Sequence, residues 1–545
     1  MRHLRLPALA TVLLAVSVAS AQEAPADKAR LFPPEAVVYV EIRSPGVFFD
    51  LLETFTRPEG HKGFDKGFER EARELDLTPE KFLSELKQVK SITFILTAED
   101  IAAERESGIE FADMGDRRVL HDATLQRYRK RGEGPVDTTL GVDIYKDLKD
   151  PDDEDDEDSY ECFIGHYHID APTLAQVKSV LRRLRGEKLP SLADDARYRV
   201  AMKGRDATAP MTLFLDVPRL HAHLQKTKGE DRKLQEADAV FDFKSIDTVV
   251  ADARVRGRAL TLDGTVRFSG ENLLMGMLQM KATPRTVSGF VPTTYPIVIA
   301  GTLSDGKTQW TKLMAFFNRV LELQEGMQKE AFAGGIAMIE RAFGINIAEE
   351  LGNVTDHALA LRPPKPGAGD GPEVLAVLRV KSVKRVKALM DRLAQAAADQ
   401  AGVAVREIGE NVEGVNVRHI FGDAGAWAVT DDVVLLAGST QDVAEAIRAR
   451  RRKTAIVDDA EVKRITAVLH KPCSTLGLVD LRRLSRLLAG DGPKVDGVVG
   501  VSTVVKPRHL EVRLHVSDVD SLVSLMQGPD NEDEGVPPED HDDIP

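Results

Sequence analysis

Cysteine is nearly missing from this 545-residue chain: Cys162 and Cys473 are the only two. A disulfide-built scaffold and a cysteine zinc cluster are therefore excluded, and two buried thiols suit the wide separation better than a bridge. Aromatic residues make up only 5%, yet the 43% apolar content is that of a globular chain, neither disordered nor collagen-like. Beyond the first two dozen residues, no apolar run approaches the roughly 20 residues of a membrane-crossing helix. The hydrolase signatures G-x-S-x-G and H-E-x-x-H are absent, as is the glycine-spaced loop of an EF-hand. Nucleic-acid-binding motifs are absent too.

The beginning of the chain reads as an address. Met1–Ala21 has Arg2 and Arg5, an apolar stretch from Leu6 to Val18, and Ala19-Ser20-Ala21 before Gln22. That is the layout of a cleavable export signal, and its apolar stretch is too short to span a bilayer. The expected location is periplasmic or extracellular, with no membrane span after cleavage. Charge is uneven in what remains. Asp150–Glu161 holds nine acids and no base, and Asp530–Pro545 holds eight acids and no base. Outside these runs the mature chain has 71 bases against 70 acids. The acidity therefore belongs to two appendages that keep a neutral body soluble, a hairpin loop at 150–161 and a tail at 529–545.

Between leader and tail the sequence resembles itself. LDLTPEKFLSEL with SITFIL resembles FGINIAEEL with HALAL, and GVDI at Gly141–Ile144 resembles GVNV at Gly414–Val417. HIDAPTLAQVKSVLRR from His168 resembles LLAGSTQDVAEAIRAR from Leu435. Asp194-Asp195 before LFLDVPRL resembles Asp458-Asp459 before LGLVDLRRL, and TVRFSGENLLMGMLQ resembles EVRLHVSDVDSLVSLMQ. These matches predict a linker at 22–29 and two homologous repeats, 30–285 and 288–528. Alternating strands such as AVVYVEI and helical faces such as TLAQVKSVLRRL predict an α+β class, largely antiparallel sheets with helices packed on them. One element has no expected counterpart. VLAVLRV with VKRVKALMDRLAQAA faces only the polar stretch Glu104–Arg131 in the first repeat.

FPPEAVVYVEI, FGINIAEELGNVTDHALAL and GVNVRHIFGDAGAWAVTDDVVLLAGSTQDVAEAI resemble a family of exported bacterial proteins that carry a domain of unknown function. The resemblance implies an exported, mixed α/β, non-enzymatic protein and brings no site residues.

Four features could carry chemistry. Gly301-Thr-Leu-Ser-Asp-Gly306-Lys307-Thr308 matches the phosphate-cradling pattern G-x-x-x-x-G-K-[ST], in which Lys307 would reach phosphates and Thr308 a magnesium ion. The alternation of Ile297, Ile299 and Gly301 instead predicts a continuing strand with Ser304 or Asp305 as helix cap, which argues against nucleotide binding. His166 and His168 share a strand face that could hold a metal, whereas His221 and His223 diverge on a helix. Structural histidines are the expected reading of both pairs. Asp194-Asp195 and Asp458-Asp459 read as helix caps rather than catalytic pairs. Arg182, Arg183, Arg185, Arg448, Arg450, Arg451, Arg452 and Lys453 gather at helix C-termini, where the helix dipole favours them. The resulting expectation names no catalytic, cofactor or metal residue. It is an exported binding or structural protein of the cell envelope, partner unknown. The alternative is an extracytoplasmic hydrolase-like enzyme whose site is spread through the sequence.

Overall fold

The structure is a computed structural model that describes residues 27–522, except 48, 51–68, 104, 106–107, 149–157, 229–230, 273–274, 277–285, 304, 324–328, 365–370, 402–408, 420–424 and 489–494. The leader, most of the linker and the acidic loop, and the acidic tail lie outside the described residues.

In the first half the elements are β1 (Ala36–Ile42), α1 (Pro79–Leu86), β2 (Ser91–Thr97), α2 (Ala98–Ala102), β3 (Ile109–Asp113), α3 (Val119–Arg131), β4 (Asp137–Thr139), β5 (Val142–Asp147), β6 (Ser159–Ile164), β7 (Tyr167–Ala171), α4 (Leu174–Leu184), α5 (Ala196–Met202), β8 (Met211–Asp216), α6 (Val217–Lys228), α7 (Arg232–Phe241), β9 (Ile246–Arg256) and β10 (Ala259–Phe268). The second half has β11 (Ile297–Thr302), α8 (Gly306–Leu323), α9 (Lys329–Phe343), α10 (Ile347–Leu351), β12 (Val354–Arg362), β13 (Glu373–Val380), α11 (Val383–Ala401), β14 (Glu410–Val412), β15 (Val415–His419), β16 (Ala426–Thr430), β17 (Val433–Ala437), α12 (Thr440–Arg452), α13 (Ala460–Val468), β18 (Thr475–Asp480), α14 (Leu481–Leu488), β19 (Val498–Lys506) and β20 (His509–Val516). This is the expected α+β class.

All named strands pair antiparallel, in the order β4-β5-β6-β7-β3-β2-β1-β8-β9-β10-β20-β19-β18-β11-β12-β13-β17-β16-β15-β14. Read from either edge, the pairing pattern is the same. The halves meet along β10 and β20. Ala259 opposite Arg256 and His509 opposite Lys506 close matching hairpins, so Asp263 and Arg513 are equivalent residues, and they also face each other across the joint. Asp263 Oδ1 accepts from Arg513 Nε at 2.5 Å.

Two expectations need correction. β3 and α3 stand in the stretch that offered no counterpart to β13 and α11. α3 buries Leu120, Thr124, Arg127 and Tyr128, so half of its inward face is polar and the apolar periodicity fails. The match of His168 with Leu435 is also one residue out. The β6–β7 hairpin pairs Ile164 with Tyr167 and the β16–β17 hairpin pairs Thr430 with Val433, so His166 corresponds to Asp432 and His168 to Val434. A one-residue slip sends every side chain to the opposite face.

One face of the sheet, the core face, carries an apolar core in each half, on either side of the joint. Tyr39, Ile95, Phe111, Ile169 and Phe214 lie with Val177, Val180 and Leu181 of α4. Val298, Ala360, Leu375, Val377 and Leu435 lie with Val443 and Ile447 of α12 and Val462 and Ile465 of α13. Each large side chain so buried contributes about 1.5–3 kcal/mol. The overlying helices start where the sequence supplies caps: Thr173 before α4, Ser439 before α12, Asp195 before α5 and Asp459 before α13. Cys162 and Cys473 are buried and unbridged. Among the described residues, no helix is long and apolar enough to cross a membrane.

Candidate functional site

Among its described residues, the phosphate-loop pattern does not form a phosphate loop. Gly301 lies within β11, paired to His357 on one side and Thr475 on the other, so its backbone is spent on the sheet. Asp305 accepts from the Lys307 amide at 3.2 Å and from the Thr308 hydroxyl at 2.5 Å, which puts a carboxylate where a phosphate would sit. The Thr308 hydroxyl bond holds the Asp305 carboxyl below its ordinary range. Gly306 is needed for a different reason. A Cβ there would lie 2.0 Å from the Leu351 carbonyl oxygen.

The paired aspartates cap helices and anchor arginines in both halves. Asp195 accepts from the amides of Arg197 and Tyr198, and Asp459 from those of Glu461 and Val462. Arg219 joins Asp195 at 2.7 Å to buried Asp216 at 3.4 Å. Arg483 joins Asp459 at 2.9 Å to buried Asp480, and Arg482 touches the same two acids. Burial works against the Asp459 charge, but the Arg482 hydrogen bond and the helix amides bring its pKa to about 2. These clamps tie a strand end to a helix start and engage Asp195, Asp216, Asp459 and Asp480.

The basic helix end of α12 borders a cleft of about 190 Å³, lined by Phe290, Arg379, Asp432, Arg450 and Arg451 among others. Its charges are mostly matched. Arg379 lies 3.0 Å from Asp432 and Arg451 3.9 Å from Glu413, while Arg450 lies over the Phe290 ring at 5.3 Å. In the first half the same two positions are Asp113 and His166, 3.8 Å apart.

A denser polar cluster lies on the opposite, far face of the first half, beside α3. Glu110 faces Asp170 across β3–β7, and Asp170 faces Glu161 across β6–β7. Arg127 of α3 reaches Glu161 and Asp147, each at 2.9 Å, and the Tyr128 hydroxyl donates to Glu161. His168 Nε2 lies 2.7 Å from the other Glu161 oxygen. Burial opposes the Glu161 charge, but bonds from His168 and Tyr128 hold its pKa below the usual range. Burial lowers the His168 pKa, and the Glu161 bond more than restores it. Asp170 has no such donor set, and burial pushes it up to about 7. A carboxyl of that pKa beside an imidazole has the acidity of a general acid or base. Asp170 Oδ1 is buried with no hydrogen-bond partner among the described residues, whereas both oxygens of its neighbour Glu161 are engaged by protein groups. Among the described residues, no group of three or more His, Cys, Asp and Glu side chains could hold a metal ion. Sequence reading missed this cluster because Glu161 was counted in the acidic run, whereas it is a buried residue of β6. The signal available was alternation: His168 and Asp170 share one face of β7.

The far face also differs over β1 and β8. In the first half Val40, Met211, Leu213, Ala253 and Leu260 are buried there, packed with Ile101 of α2 and Leu220 of α6. Strand register makes Ile299, Thr475, Gly477, Thr503 and Leu510 their counterparts. None of these five is buried, and Ile299 is 46% exposed. On β12 the counterpart of Phe94 is Leu359, 44% exposed, and Val374 beside Leu361 is 42% exposed. Among the described residues, no helix equivalent to α2 stands between β12 and β13. A roofed core in one half is thus an uncovered face in the other, apolar at Ile299, Leu359 and Leu510 and polar at Thr475 and Thr503.

No family model matches the chain, and no curated protein matches it. Solved structures that match include three crystal forms of TP0453. Form III is 11% identical over 48% of this chain and 91% of that one, with a TM-score of 0.29. Form I is 10% identical over 46% and 82%, and form IV 11% over 45% and 82%, both with a TM-score of 0.26. At these scores the likeness carries no argument.

Proposed function

We propose that the chain is an exported, non-catalytic binding protein of the bacterial cell envelope. The observation that carries the reading is the open apolar surface at Ile299 and Leu359, set where the other half buries Val40 and packs Phe94 against the same cluster. Contiguous exposed apolar surface on a folded chain marks a place of contact. Two polar groups with perturbed acidity support the same side of the choice, since Glu161 and Asp459 are taken up in ion pairs within the fold. Export rests on the leader, with Arg2, Arg5, the short apolar stretch and Ala19-Ser20-Ala21. Two experiments test the reading. Cell fractionation should find the mature chain, cut after Ala21, outside the cytoplasm. Pull-down from native envelope with the mature chain, with and without residues 529–545, should recover a partner or bound small molecule. A cytoplasmic chain that recovers neither would end the proposal.

A further inference from the structure

The cleft beside the basic end of α12 holds charges that the fold leaves unmatched. Phe290, Val433 and Ile447, all members of the second-half core, line it on its apolar side. Arg379 is spent on Asp432 at 3.0 Å and on Asp356 at 3.5 Å, and Arg451 shares Glu413 with Arg452. Asp431 and Arg450 remain. Both are exposed, and neither forms an ion pair or a side-chain hydrogen bond with another described residue. They line one cleft without reaching each other. Each is nevertheless held in place. Asp431 takes the left-handed backbone, φ 50°, in the β16–β17 turn. The Arg450 guanidinium lies over the Phe290 ring and against Gly289, where a Cβ would stand 2.8 Å from Nη1.

The first half has neither charge. Its β6–β7 turn carries Gly165, φ 63°, where Asp431 stands. The caps Thr173 and Ser439 set α4 and α12 in register, which puts Leu184 in the place of Arg450. The carbonyls of Phe32 and Val291 accept from Leu192 and Ile456, which puts Leu31 in the place of Phe290. Leu31, Tyr167 and Leu184 pack on the core there. The ladder and the helix thus form without Asp431 and Arg450, and the two charges are free for another task. A ligand with one charge would leave the other side chain unpaired, and a phosphate would meet Asp431 and Asp432 as like charges. A molecule with one positive and one negative group satisfies both. Size limits it further: at roughly 30 Å³ per water, the cleft of about 190 Å³ takes about six waters. Drug-sized ligands need roughly 300–1,000 Å³.

We infer that this cleft binds one small zwitterion of the free amino-acid type, its carboxylate on Arg450, its ammonium on Asp431 and an apolar side chain against Phe290. This names a ligand class for the proposed binding function and rests on that reading. The test uses the mature full chain and titration calorimetry with L-leucine as probe. Saturable binding at one site is expected. Isocaproate keeps the carboxylate and side chain of leucine, and isopentylamine keeps its ammonium and side chain. Each should bind about tenfold more weakly than leucine. Asp431→Gly and Arg450→Leu install the residues of the first half, so circular dichroism and the unfolding midpoint should stay unchanged. Either variant should weaken leucine about tenfold. Asp431→Gly should spare isocaproate, and Arg450→Leu should spare isopentylamine. No saturable binding of leucine overturns the assignment, and so does equal binding by either variant. Isocaproate bound as tightly as leucine also overturns it and makes the cleft a plain anion site. If leucine fails while envelope pull-down recovers a partner, only this site falls and the binding function stands.

Discussion

On the far face, the positions beside α3 in the first half are Glu110, Glu161, His168 and Asp170. Their equivalents beside α11 are Ala376, Trp427, Val434 and Leu436. Backbone pairing is the same in both halves, so the ladder does not require either solution. The second half packs Trp427 and Val434 with Val386 and Met390. The first half packs the start of its helix through Leu120 on Ala112 and Met114, and holds the rest by charge, through Arg127 and Tyr128 on Glu161. Apolar packing is indifferent to pH, whereas the charged solution depends on the proton count of several groups. Geometry is shared between the halves, and sensitivity to conditions is not.

The strongest way to break this contrast is Arg127→Ala. Glu161 and Asp147 would lose their buried partner, and urea unfolding should register a loss of about 3–5 kcal/mol. A loss below about 1 kcal/mol would place the pair with ordinary surface ion pairs. Trp427→Ala probes the apolar counterpart and should cost about 3–4 kcal/mol by the same measurement, equally at pH 5 and pH 8. A strong pH dependence there would remove the distinction.

Asp170→Asn sharpens the pH side. With its pKa raised from 3.8 to about 7, Asp170 keeps a proton in the fold that the unfolded chain releases. Its favourable contribution is present at low pH and is lost as pH rises through about 7. The raised pKa of His168 acts in the same direction. The wild type should therefore lose about 2 kcal/mol relative to Asp170→Asn between pH 5 and pH 8, read from melting temperatures. Parallel curves would contradict this. The smallest effect is expected from Thr308→Val, which removes only the exposed bond to Asp305 and should cost about 0.5 kcal/mol in thermal melts. A much larger loss would give the loop a role beyond capping a helix.

What could be read beforehand followed from how local each signal is. The α+β class, the caps at Asp195 and Asp459, and the strand character of Gly301 rest on short patterns, and the structure has all of them. Strand β3 with helix α3 was missed because Arg127 and Thr124 face inward where apolar residues are expected. The cluster around Glu161 was missed because its members come from β3, β6, β7 and α3, and only the sheet order makes them neighbours. The open face was hidden for a related reason. Ile299 and Leu359 look like core residues in sequence, and exposure depends on whether a helix from elsewhere in the chain lies above them.

The joint between the halves has one more consequence. Asp263 and Arg513 occupy the same place in their respective halves and meet at the point about which the halves are related. Two copies of the first half joined in this way would set aspartate against aspartate, and two copies of the second arginine against arginine. Only the mixed joint sets opposite charges face to face, beside the Arg254 that Asp263 already holds within its own half. The seam therefore works as a keyed coupling that tells left from right, and a single chain carrying both sides needs no encounter with another to close it.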